Sequence, residues 1–106
     1  MIISKKYDEV SPVLNRDGLV GRKIYVNESA EAVHIKFDKG AYLQKHTTPV
    51  DVFFYILEGN AEIEIGDEIV NAEKDFIVES SKDIPHGIRN VGVGILRVLV
   101  VKAPKP

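Results

Sequence analysis

The sequence predicts an all-β domain, a barrel or sandwich of two packed antiparallel sheets. Three observations predict it. Apolar residues alternate with period two rather than 3.6, short apolar runs are separated by turn signals every eight to twelve residues, and no segment carries a helix of ordinary length. Chain length agrees, since 106 residues form one domain with a single core, taken here as residues 1–106.

Strands are expected near 23–27, 32–38, 42–46, 52–57, 61–65, 68–72, 75–79, 86–90 and 95–102. Arg16-Asp17-Gly18, Asp38-Lys39-Gly40, Glu58-Gly59-Asn60 and Gly66-Asp67 place Gly and Asx residues where the backbone must reverse. Alternation then assigns faces. Val33, Ile35 and Phe37 point inward, which leaves His34 outside with Lys36 as an ordinary surface residue. Ala61, Ile63 and Ile65 point inward, with Glu62 and Glu64 toward solvent. The run 95–101 is apolar on both faces except Arg97, which is expected to pair with a surface carboxylate. A strand of that kind needs cover on both sides, and a second subunit would supply the outer cover. Phe53, Phe54 and Tyr55 read as core and interface packing. The Ala103-Pro-Lys-Pro106 tail cannot extend a ladder.

Composition narrows the function classes. Fourteen Lys and Arg against sixteen Asp and Glu leave a net charge of −2 with both signs dispersed, so no nucleic-acid partner is expected. No apolar run approaches the roughly 20 residues of a membrane span, so no membrane partner is expected either. Without cysteine there is no disulfide framework, thiolate ligand or thiol nucleophile. Cytoplasmic residence is the expectation, since the first residues lack a signal peptide's apolar core.

Two stretches carry the chemistry. The first runs Gly40-Ala-Tyr-Leu-Gln-Lys-His46-Thr-Thr48 and closes with Phe54-Tyr-Ile-Leu-Glu-Gly59; the second runs from Asp75 and ends Ile84-Pro-His86-Gly-Ile-Arg-Asn90. Together they resemble the two signature motifs of the cupin superfamily. Its first motif is a glycine, five residues, His-x-His, three or four residues, Glu, six residues and a glycine; its second ends in a histidine, three residues and Asn. Gly40, His46 and Gly59 hold the first register, and His86 and Asn90 hold the end of the second. The resemblance implies a jelly-roll barrel, the double-stranded β-helix, and a homodimer. It also implies a pocket in which His46 and His86 ligate a divalent transition metal such as zinc, iron, nickel, copper or manganese. Imidazole suits those ions.

The chain departs from that pattern at ligand positions. Thr48 stands where the second His of the first motif belongs, and Val52 stands where the Glu belongs. Asp51, one residue early, would reach the site only through a bulge, and Gln44 could lend an amide oxygen. Tyr42, Gln44 and Thr48 share the parity of His46 and are expected to line the cavity, with Asn90 as a further lining residue. Ser80 and Ser81 lie near His86 in sequence, with no acid evident to complete a hydrolase triad. The functional expectation is a small cupin that binds a metal and a small polar molecule, as a dioxygenase or an isomerase. The alternatives are a metal-free sensor or carrier of a small molecule, and a structural dimer with a vestigial pocket.

Overall fold

Alternation of apolar and polar residues does produce two antiparallel sheets, and the computed structural model describes all of residues 1–106. A short 3-10 turn, Tyr7–Glu9, precedes ten strands. These are β1 (Leu14–Arg16), β2 (Leu19–Asn27), β3 (Ala30–Phe37), β4 (Tyr42–His46), β5 (Asp51–Glu58), β6 (Asn60–Ile65), β7 (Glu68–Glu73), β8 (Ile77–Ser80), β9 (His86–Asn90) and β10 (Leu96–Ala103). The larger sheet has the order β1-β2-β3-β10-β5-β8 and the smaller β4-β9-β6-β7. No helix is long and apolar enough to cross a membrane.

The sequence reading placed most strands within a residue or two and missed β1 together with the first half of β2. Asp17 and Gly18, both at positive φ (54° and 78°), reverse the chain there in a tight hairpin and pair Arg16 with Leu19. The inner faces of the two sheets supply the core. Phe37, Phe54, Ile56, Ile63, Ile88, Leu96 and Val98 are each at most 1% exposed. Burying a side chain of that size contributes roughly 1.5–3 kcal/mol before conformational entropy is subtracted. Gly59, at φ 89°, turns the chain from β5 into β6, and a Cβ there would lie 2.5 Å from the Ile95 carbonyl oxygen. Only glycine fits.

The outer face of the larger sheet departs from the sequence reading. His34 points outward, as alternation requires, but it is 2% exposed rather than an ordinary surface residue. The N-terminal segment covers it. Tyr7 stacks on the imidazole with ring centroids 3.9 Å apart, and Arg97 Nη1 donates to His34 Nε2 at 3.1 Å. Arg97 also pairs with Glu58 at 2.8 Å, the expected surface carboxylate, while Arg22 Nε donates to the Val10 carbonyl at 2.9 Å. Because Nε2 accepts from Arg97, the neutral ring carries its proton on Nδ1, a buried atom with no partner. Burial first, then Arg97 and Arg22, push the His34 pKa down to about 4.

Asn90 fastens the opposite end of the molecule. Its Nδ2 donates to the carbonyls of Phe37, Asp38 and Gly94 at 3.2, 3.1 and 2.8 Å, and its Oδ1 accepts from Gly92 N at 3.0 Å. It is therefore a structural clasp between the β3–β4 corner and the β9–β10 loop, not a lining residue beside His86. The two positions are four residues apart on β9, about 13 Å at the usual strand rise.

These contacts set two measurable outcomes. Replacing Asn90 with Ala strands buried carbonyls and should destabilise the fold by about 2–4 kcal/mol, read as a lower urea midpoint at unchanged m. For His34 the unfolded chain takes up a proton near pH 6.5 and the folded chain only near pH 4, so stability is constant above 6.5 and falls between the two values. The loss amounts to about 3 kcal/mol, and His34→Gln should remove about half of the slope in that interval, the rest belonging to His86, a buried histidine whose pKa is likewise held down to about 4. A curve unchanged by the substitution would contradict this reading of the site.

Candidate functional site

β4 lies against β9 at the edge of the smaller sheet, and an irregularity in that pairing decides which residues meet. Leu43 opposes Ile88 and His46 opposes His86, so Gln44 and Lys45 stand against the single residue Gly87. That is a β-bulge. Gly87 accommodates it, because a Cβ there would sit 2.9 Å from Glu64 Oε1 and 3.1 Å from the Leu43 carbonyl.

The bulge reverses the parity on which the sequence reading relied. His46 faces inward with His86, but Tyr42, on the other side of the bulge, opposes Arg89 on the outer face. There the Tyr42 hydroxyl donates to Glu64 at 2.5 Å, and the Arg89 guanidinium lies 4.1 Å from the ring centroid. The Glu64 carboxylate that accepts this proton raises the Tyr42 pKa. Tyr42 therefore does not line the barrel interior beside His46. Gln44 is exposed, and it is its backbone carbonyl, not its side-chain amide, that accepts from His46 Nδ1 at 2.9 Å. Asp51 does not turn inward either. It opposes Ala103 on β10, and its Oδ1 accepts from Lys82 N at 2.8 Å, capping the turn after β8.

His86 is 3% exposed, and both ring nitrogens are engaged. Nδ1 lies 2.8 Å from Ser80 Oγ and Nε2 lies 3.3 Å from Thr48 Oγ1. Burial, then His46 and Lys102, hold its pKa down to about 4, so the ring is neutral with one N–H and one lone pair. One hydroxyl consequently donates to the ring and the other accepts from it. Phe54 closes the site with an edge-on contact, its ring centroid 5.1 Å from that of His86. His46 approaches edge-on at 4.7 Å but is itself exposed. Since its Nδ1 donates to a carbonyl, the Nε2 lone pair of neutral His46 is uncommitted.

Beside this pair, on the larger sheet, Glu31 is 5% exposed and receives Lys23 at 3.1 Å and Lys102 at 3.3 Å. Burial alone would raise its carboxyl pKa, but the two lysines bring it below the ordinary value. The register Glu31–Lys102–Val52–Ser80 puts this ion cluster in the same transverse row as the His86 partner. The sequence reading did not include Ser80, Glu31 or Lys102 in the site. The signal for Ser80 is its inward parity with Val78, which the expected strand 75–79 stops one residue short of.

Cleft and histidine do not coincide. Along the free edge of β4 runs a cleft of about 570 Å³ lined by Arg16, Asp17, Tyr42, Gln44, Lys45 and His46, among others. His86 lines none of the molecule's clefts. The residues present do not fit a divalent metal. No three His, Cys, Asp or Glu side chains are grouped to hold one, and the buried imidazole spends both nitrogens on hydroxyls.

Comparison with known proteins agrees with this architecture. An uncharacterised protein of Methanocaldococcus jannaschii is 26% identical over 110 residues, covering 97% of this chain and 87% of the relative. An RmlC-like cupin of Shewanella frigidimarina superposes with a TM-score of 0.84 at 21% identity, covering 95% of this chain and 89% of that one. A protein of Thermus thermophilus does so at 0.83 and 22%, covering 97% and 98%. At these identities the structural likeness speaks for the fold. The family model for the cupin domain matches residues 33–102, which span both histidines and the strands that carry them, and the chain belongs to the cupin family.

Proposed function

We propose that this cupin works without a metal and binds a small anionic molecule, of the carboxylate or phosphate class, in the cleft along β4. The observation that carries the reading is the division of labour between the two histidines. His86 is sealed and saturated by Ser80 and Thr48, while His46 stands exposed at the cleft with a free Nε2. Arg16 and Lys45 offer cationic donors to the cleft, against the single acid Asp17, and His46 joins them as a donor only when its Nε2 carries a proton. An anion seated there gains charge-assisted hydrogen bonds. Ser80, Thr48 and Phe54 act on the ligand only through His86, which fixes the edge against which the His46 ring rests. The opposed imidazoles 4.7 Å apart support the second reading, a metal-dependent dioxygenase or isomerase; it requires His86 to give up a hydroxyl.

The test combines metal analysis with ligand titration. Untagged protein purified without chelator should hold far less than one metal per chain by plasma mass spectrometry. Titration with malonate, citrate and inorganic phosphate should move the His46 ring signals in NMR spectra. Arg16→Ala or Lys45→Ala should weaken that binding about tenfold, a loss of about 1.4 kcal/mol. One metal per chain, lost in His86→Ala, would overturn metal independence. Spectra that ignore all three anions would overturn the anion-binding cleft.

A further inference from the structure

Among the strands at sheet edges, β7 is the one whose edge nothing blunts. β1 has three residues and β8 four, and β4 carries the bulge. β7 runs six residues, Glu68–Glu73, in unbroken register with β6, and it contains neither proline nor lysine. Natural edges carry such devices because an open row of backbone groups pairs with other strands that meet it.

The phase of the ladder shows which backbone groups are open. Val91 N donates to the Asn60 carbonyl at 3.2 Å, so residues 60, 62 and 64 of β6 turn their backbone groups toward β9, and 61, 63 and 65 turn theirs toward β7. Opposite these last three stand Ala72, Val70 and Glu68. Ile69 and Asn71 therefore direct both N–H and C=O away from the sheet. Glu73 does so with its N–H alone, since its carbonyl accepts from Phe76 N at 3.0 Å.

The flanks of this edge are apolar and acidic. Two clefts open along β7, one of about 260 Å³ at Glu68, Ile69 and Val70, the other of about 360 Å³ at Asn71, Glu73 and Phe76. Val70 shares the inner face with the fully buried Ile63, yet it is 39% exposed, so core-facing apolar surface lies bare at the seam between β7 and β8. Glu68, Glu73 and, from β8, Glu79 line these clefts, no Lys, Arg or His does, and none of the three acids has an ion-pair partner.

We propose that β7 takes up an added strand from a partner protein, an extended segment in which apolar residues alternate with Lys or Arg. Its backbone pairs with Ile69 and Asn71, its apolar side chains cover Val70, and its cations meet Glu68, Glu73 and Glu79. Charge selects this occupant over a second copy, whose own Glu68 and Glu73 would be set against the same acids. The edge lies across the smaller sheet from the β4 cleft, so the interaction is independent of whatever that cleft binds.

The probe is a fluorescein-labelled peptide of alternating Lys and Val, titrated against the full chain. Its anisotropy should rise, and hydrogen exchange should slow at the Ile69 and Asn71 amides but not at those of Val70 and Ala72, which β6 already holds. Asn71→Pro removes an outward N–H and leaves the β6 ladder intact, so binding should fall about tenfold or more with an unchanged circular dichroism spectrum. Glu68→Lys and Glu79→Lys should each weaken binding without disturbing the fold. An unbound Lys–Val peptide would overturn the proposal, as would equal binding of a Lys–Gly peptide, which would reduce the effect to charge. Should Asn71→Pro disturb the fold, the exchange pattern of the wild type decides. Slow exchange at Ile69 and Asn71 in concentrated protein without peptide would assign the edge to a second copy and overturn the proposal too.

Discussion

Between Leu43 and His46 the fourth strand carries one residue more than the strand beside it, and everything at the mouth of the barrel depends on that insertion. Strand pairing forces strict alternation of faces on each side of a bulge, but not across it. The extra residue lets His46 oppose His86 while Tyr42, an even number of residues away, looks outward to Glu64 and Arg89. Gly87 is the compensating feature on β9, since a Cβ there would crowd the β4 backbone at 3.1 and 3.2 Å and force the Glu64 carboxylate to shift. Without the bulge, His46 would leave the inner face and the two imidazoles would not meet.

Their meeting has an electrostatic consequence. A buried imidazole is tolerated only if it is neutral or paired with an anion, and no carboxylate reaches His86. Ser80 and Thr48 satisfy it as a neutral ring, and His46 and Lys102 hold it there. The hydroxyls occupy the two positions from which a neutral imidazole would offer a lone pair to anything else. Its surface neighbour keeps a free nitrogen, so the pair separates into a saturated ring and an available one.

His34 repeats the same physics on the other face of the larger sheet. It too is buried and neutral, but its partners are a guanidinium and an aromatic ring, and its cover is the chain's own N-terminal segment. Arg97 links the two halves of that face, since it donates to His34 on one side and pairs with Glu58 on the other. The covered part of that face is therefore set by where Tyr7 docks, and the residues before it lie over β2 rather than over β5 and β8.

Alternation, turn residues and motif spacing sufficed to determine two antiparallel sheets, a cupin barrel, an inward set at 33/35/37 and 61/63/65, and the association of His46 with His86. These are local or nearly local properties. A side chain's face follows from its neighbours two residues away, and a glycine marks a reversal wherever it falls. Tertiary structure decided the rest, because burial and bulges are not periodic. The same parity argument that placed Val33 correctly left His34 at the surface, since no sequence rule reveals that Tyr7, 27 residues earlier, will lie on it. It aligned Tyr42 and Gln44 with His46, since an insertion in a ladder shows only against the partner strand. Whether His86 was a free ligand or a saturated hydrogen-bonding group depended on Ser80 and Thr48 arriving from β8 and from the loop after β4, and only folding brings those three together.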